Sequence, residues 1–302
     1  MLTFVDGIDE IIPINRNFSK SWQNFQSFRN TLKQLKAEHW DYVIDFQGLF
    51  RSGIFGKFAG NGQNTYGFAH AREGASFFYK HKVEVPDTIV HALEKNLYLM
   101  NQVFDWNEPY LAPHFSFSKE AKDFCKDQFK DFQGYKRVAV APLSRWESKS
   151  WPNIYFLRQM EKLSSELKTI FWLVGAAAEK DRCDALEKMC VERNIPVLNL
   201  AGKTNFEQML ACLQSSQLFY TNDSGPMHMA AALNVPLIAC YGPTSAEKTG
   251  PYSPSAHVFK SSASCAPCFK RECPLSEQIC YTEGIDEALI SKTAISILNG
   301  EK

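Results

Sequence analysis

The feature that most constrains the fold is the alternation of short apolar runs with longer amphipathic stretches through the second half of the chain. Residues 137–141, 171–174, 196–200, 218–220 and 236–240 are apolar or nearly so, and 152–167, 178–192, 205–213 and 226–233 between them suit helices. Strands alternating with helices imply βαβ units and a parallel sheet. Strands that are apolar throughout, without a polar face, belong in a sheet covered on both sides. The crossovers are expected to be right-handed.

The first half repeats the pattern in shorter form. Residues 10–14 read as a weak strand, demoted by Pro13. Residues 18–37 are helical, with Phe25, Phe28, Leu32 and Leu35 on one stripe. Residues 42–46 and 64–68 are strands; a helix follows Gly48 and another spans 89–103. The polar and aromatic region 105–134 reads as a connector. A lobe at 1–134, a second at 135–284 and a C-terminal helix at 285–302 packing back towards the first lobe follow from this division. A doubly wound sheet normally opens with a strand, a Gly-containing turn and a helix. The chain begins without them, so the first lobe is expected to be incomplete.

The length, 302 residues, allows two domains, and 45% hydrophobic with 22% charged residues is ordinary for a globular protein. Lys+Arg and Asp+Glu are both 33. Bulk charge therefore offers nothing to nucleic acid or membranes, and any anionic ligand must be held by local groups. No apolar run approaches the ~18 residues of a membrane span. Residues 1–6 lack the basic and apolar regions of a signal peptide, so a cytoplasmic location is expected. Cys125, Cys183, Cys190, Cys212 and Cys240 lie in apolar or helical contexts and read as reduced, buried thiols.

The segment 220–232, Tyr-Thr-Asn-Asp-Ser-Gly-Pro-Met-His-Met-Ala-Ala-Ala, carries the strongest chemistry. A strand leads into Asp223 and Ser224, both good N-caps. Gly225 lets a ligand approach the backbone, and Pro226 suits the start of a helix. Backbone N–H groups and the helix dipole then face the carboxyl edge of the sheet, which suits a diphosphate. A merely well-capped helix would have the same sequence. Asp223, Ser224 and His228 lie too close on one turn to form a hydrolase triad, and no G-x-S-x-G elbow is present.

With Val-Pro-Leu-Ile-Ala-x-Tyr-Gly-Pro-Thr at 235–244, this segment resembles glycosyltransferase family 9, the bacterial lipopolysaccharide heptosyltransferases. Ser144-Arg145 and Lys149-Ser150-Trp151-Pro152 extend the resemblance. So do Asp-Phe-Gln-Gly-Leu-Phe-Arg-Ser at 45–52 and Ala-Arg-Glu-Gly-Ala-Ser-Phe-Phe-Tyr at 71–79, which look most like the heptosyltransferase I branch.

The resemblance implies an α/β protein of GT-B type with two Rossmann-like lobes and parallel sheets, the acceptor in the first and ADP-heptose in the second. It implies an inverting, metal-independent reaction. The acceptor would be the lipopolysaccharide inner core, reached peripherally at the inner face of the cytoplasmic membrane. Ser144 and Lys149 would contact phosphate with Ser224 and Gly225, Asp223 and His228 complete the donor set, Glu179 would meet the ribose and Thr204 the adenine. Arg51 and Arg72 are the acceptor candidates, because guanidinium groups grip carboxylates and phosphates. Lys80, His81 and Lys82 form a small basic patch whose better reading is a solvated turn. A relative moving another sugar, and a nucleotide-binding remnant without turnover, are the alternatives.

The chain departs from the family pattern at its start. Members open with a strand and a Gly-Asp loop whose Asp is the expected general base. Asp6-Gly7 reverses that order, so no catalytic base is assigned, and a truncated or degraded enzyme is expected. Cys265, Cys268, Cys273 and Cys280 could form a thiolate zinc site, or disulfides, or remain free. Their spacing matches neither common iron–sulfur runs nor a cytidine deaminase.

Overall fold

A computed structural model describes residues 3, 5–14 and 21–301. It separates into two compact units, one of residues 8–111 and one of 1–7 with 112–302.

The smaller unit runs α1 (Trp22–Ala37), β1 (Val43–Asp45), α2 (Phe50–Ala59), β2 (Thr65–Phe68), β3 (His81–Val83) and α3 (Ala92–Phe104). Ser21 caps α1, its hydroxyl accepting from the Asn24 amide at 3.2 Å. The expected start of this helix at Phe18 lies outside the described residues. The three strands pair in parallel in the order β1-β2-β3, with Val43 opposite Thr65 and Tyr66 opposite His81. Two expectations are corrected here. Residues 10–14 form no strand, in line with Pro13 lacking a ladder donor. The basic patch is not a turn: Lys80 donates its amide to the Thr65 carbonyl at 3.1 Å and leads into β3.

The larger unit begins with α4 (Lys119–Gln128). It continues with β4 (Lys136–Ala141), α5 (Asn153–Glu166), β5 (Thr169–Leu173), α6 (Lys180–Val191), β6 (Val197–Asn199), α7 (Phe206–Gln214) and β7 (Leu218–Asn222). It ends with α8 (Gly225–Ala232), β8 (Leu237–Tyr241), α9 (Ala246–Thr249), β9 (Ala256–Lys260), α10 (Ile279–Thr282) and α11 (Glu287–Asn299). Its sheet is all-parallel, in the order β6-β5-β4-β7-β8-β9. Both faces are covered. Val138 and Val140 enter one apolar core, while Ala139 and Ala141 enter another on the opposite side.

The division of the chain differs from the one read in the sequence. The region 105–134 is not a bare connector, because it contains α4, capped by the Ser118 hydroxyl. Ala121 of that helix joins Phe115, Phe117, Leu210 and Ala211 in a third apolar cluster, which ties the segment from 112 onward to α7. The C-terminal helix α11 packs on α5 within its own unit. There the Ser291 hydroxyl donates to Gln159 Oε1 at 2.7 Å, both side chains buried.

Candidate functional site

In parallel α/β sheets, ligands bind at the carboxyl ends of the strands where the strand order reverses. That point here lies between β4 and β7. The loop after β4 and the loop after β7 are joined by Asn222, fully buried. Its Oδ1 accepts from the Trp151 amide at 3.0 Å, and its Nδ2 donates to the Pro142 carbonyl at 3.0 Å. Ser144 tightens the join: its hydroxyl donates to the Asp223 carbonyl at 2.7 Å, and its amide donates to Ser150 Oγ at 3.1 Å.

Lys149 and Asp223 meet across this join. Lys149 Nζ lies 2.6 Å from Asp223 Oδ2, with the two side chains only 17% and 8% exposed. The Thr244 hydroxyl, from the loop after β8, donates to the same carboxylate oxygen at 2.7 Å. A pair this sheltered from water is screened far less than a surface ion pair. The Lys149 carbonyl accepts from the Tyr281 phenol at 2.9 Å. Burial drives the Tyr281 ionisation well above its ordinary value, so the phenol remains a donor.

Beside the ion pair lies a cleft of about 450 Å³, whose lining includes Ser144, Arg145, Gly175, Glu179, Thr204, Ser224, Gly225 and Met229. Ser224 has extended backbone and leads into α8, with Pro226 in the first turn. Its side chain makes no cap hydrogen bond and instead lies 3.1 Å from Thr221 Oγ1. A Cβ at Gly225 would meet no atom within 4 Å. The helix N-terminus is thus open to the cleft, the arrangement that favours an anion.

Of the residues expected on the donor side, Ser144, Glu179, Thr204, Ser224 and Gly225 line one cleft, and Lys149 and Asp223 pair next to Ser144. Glu179 also closes its own turn, accepting from the Ala176 amide at 2.7 Å. His228 is exposed on α8 and is not among the cleft-lining residues. The sequence reading overlooked Arg145 as a cleft residue, Thr244 as a partner of Asp223, and Asn222 as the join. Their neighbours in the motifs were the available signal.

In the smaller unit, Asp45 organises the turn after β1. Its Oδ1 accepts from the amides of Gln47 at 2.9 Å and Gly48 at 3.1 Å. Its Oδ2 accepts from Ser52 at 2.7 Å and Tyr79 at 2.6 Å. Burial, with the bond to Asp45, raises the Tyr79 ionisation and keeps it a donor. Arg51 and Arg72 are not brought together: Arg51 lines a cleft with Asp45 and Phe55, Arg72 another with His70 and Lys95.

Cys265, Cys268, Cys273 and Cys280 border one cavity of about 120 Å³. They sit at different depths, from exposed Cys265 to buried Cys280, and all nine cysteines are free thiols. Among the described residues no group of three or more His, Cys, Asp or Glu is arranged to hold a metal ion. Burial, helped by the neighbouring thiols, pushes Cys280 up to about 11.

Two all-parallel sheets interleaved with helices, the larger with a cleft and an open helix N-terminus at its switch point, define an α/β protein with two Rossmann-like lobes. The chain belongs to glycosyltransferase family 9 (heptosyltransferase), which residues 28–279 match. It is 30% identical over 279 residues to lipopolysaccharide heptosyltransferase 1 of Pseudomonas aeruginosa, covering 88% of this chain and 74% of that protein. It is 31% identical over 161 residues to lipooligosaccharide heptosyltransferase 2 of Campylobacter jejuni, covering 53% of this chain and 50% of that protein. An E. coli heptosyltransferase solved with ADP superposes with a TM-score of 0.73 at 21% identity, covering 98% of this chain and 86% of that one. The fold is accordingly of the GT-B type.

Proposed function

We propose that the chain transfers heptose from ADP-heptose to the inner core of lipopolysaccharide, with inversion at the anomeric carbon and without a metal cofactor. The observation that carries this reading is the Lys149–Asp223 pair, sheltered beside an open helix N-terminus at the switch point of the sheet. ADP accompanies one structural relative. In the cleft, Thr204 would take the adenine end, Glu179 the ribose, and Ser144 with the start of α8 the diphosphate. Lys149 would meet the charge that builds on the leaving diphosphate as the glycosidic bond breaks. Asp223, already engaged by Lys149 and Thr244, would hold sugar hydroxyls rather than attack. Arg51 and Arg72 would contact the anionic acceptor from their two clefts.

An acceptor of this kind is lipid-anchored, so we place the enzyme in the cytoplasm, peripherally at the inner face of the membrane. No helix among the described residues is long and apolar enough to cross it. Lys149→Ala is expected to weaken ADP binding by about 1.5–3 kcal/mol, the usual worth of a charge-assisted contact. Calorimetry with ADP tests this, and unchanged affinity would remove Lys149 from the phosphate site.

A further inference from the structure

The donor-side charge is smaller than the sequence suggests. Lys149 is the natural cation for a diphosphate, yet it is already paired with Asp223 at 2.6 Å. The pair is locally neutral, and opposite charges this close largely cancel at a ligand further away. A dianionic group therefore needs cations beyond Lys149.

The cysteine-rich loop supplies one. Arg271, between Cys268 and Cys273, places its guanidinium carbon 5.5 Å from the centre of the Trp146 ring. Lys149 Nζ stands 4.5 Å from the centre of the same ring. The loop is anchored at two points, both through backbone. The Ser148 hydroxyl donates to the Lys270 carbonyl at 2.7 Å, with the Ser148 amide 3.3 Å from the Arg271 carbonyl. The Phe269 amide donates to the Pro243 carbonyl at 2.8 Å, next to Thr244. These anchors lie on the two loops that frame Lys149 and Asp223. No ion pair among the described residues involves Arg271. A guanidinium without an ion-pair partner, held on the same indole as a neutral Lys149–Asp223 pair, leaves this face with one net positive charge for an anion to meet.

We infer that Arg271 is a donor-binding residue: with Lys149 on Trp146, it holds the diphosphate of the sugar nucleotide. This rests on the donor-site reading above. It gives the loop between the cysteines a role independent of any metal: its backbone docks on the Lys149 turn and its arginine restores the positive charge that Asp223 cancels. Guanidinium suits this task because it forks onto two phosphate oxygens.

Arg271→Gln, Arg271→Lys and Lys270→Gln, titrated with ADP and with adenosine by calorimetry, test the inference. Arg271→Gln should weaken ADP roughly tenfold, the scale of one charge-assisted contact, and leave adenosine unchanged. Its ADP affinity should also depend less on salt than that of the wild type. Arg271→Lys should recover part of the loss, and Lys270→Gln should bind as the wild type. The anchors are backbone groups that a side-chain change leaves in place, so the thermal midpoint should not move. If Arg271→Gln loses stability, the ratio of ADP to adenosine affinity still decides, since a general loosening lowers both. Equal ADP affinity in Arg271→Gln and the wild type, or an equal loss for ADP and adenosine, overturns the assignment while the donor site stands. A wild-type chain that does not bind ADP overturns the donor site and this inference with it.

Discussion

The two units hold their loops in place by different means. In the larger unit, β5, β7 and β8 are buried along their whole length, and β4 along most of it, with an apolar core on either face of the sheet. In the smaller unit the strands are only partly buried, and α1 has no buried residue. What fixes the turn after β1 there is polar: four donors converge on the Asp45 carboxylate. Non-directional burial can position a rigid sheet edge, whereas a lightly buried sheet depends on directed bonds.

Substitutions can break or sharpen this contrast. The largest effect is expected from Phe219→Ala in β7, fully buried in the larger unit, at about 3–5 kcal/mol of stability. Phe25→Ala in α1, where the ring is 40% exposed, should fall within about 0.5 kcal/mol of the wild type. Urea unfolding of both variants provides the comparison, and equal losses would abolish it.

Next comes Asp45→Ala. It strips the Tyr79 and Ser52 hydroxyls and two amides of their acceptor and should cost about 2–3 kcal/mol. Faster hydrogen exchange at the Gln47 and Gly48 amides should accompany the loss. Exchange as slow as in the wild type would mean that packing, not Asp45, holds the turn.

The smallest effect concerns acid. Glu247 accepts from Lys260 Nζ at 2.7 Å and from the Ser245 hydroxyl at 2.8 Å. The bond from Lys260 is the main reason its carboxyl falls from the ordinary 4.5 to about 2. A carboxyl depressed in the folded state stabilises above its unfolded value, and the stabilisation fades as the pH falls through the folded one. Glu247→Gln should therefore sit slightly below the wild type in thermal midpoint at pH 6, with the gap closing between pH 4.5 and 2. The group is largely exposed, so the gap should be small and shrink with salt. A gap independent of pH would assign it to something other than this carboxylate.

How much was legible in the sequence follows the same contrast. The five apolar strands of the larger unit were readable because burial on both faces writes itself as unbroken apolar runs. The sixth, β9, was missed: it lies at the sheet edge, with His257 and Lys260 exposed. In the smaller unit, β3 was read as a basic patch because Lys80, His81 and Lys82 carry no apolar signal. The motif at 223–226 was readable from capping and glycine chemistry alone. Asn222 and Thr244 were not, because their roles depend on a loop brought next to them by the sheet. Asp45 was quoted only inside a longer motif, since nothing local shows that Tyr79, 34 residues later, donates to it.

The strand order has a consequence in time. β4 pairs with β7, Val138 standing opposite Leu218, although about eighty residues separate them. During synthesis β4, β5 and β6 emerge first, while the far edge of β4 waits for its neighbour. At roughly 5–20 residues per second, that interval lasts about 4–16 s. Through it, Val138, Ala139 and Val140 present a bare apolar edge on the ribosome, open to any other nascent strand. The cleft at the switch point does not exist until Asn222 and Asp223 arrive and join the loop holding Lys149. Until the loops after β4 and β7 meet, the nascent chain thus carries an unpaired β4 edge open to misassembly or to a chaperone.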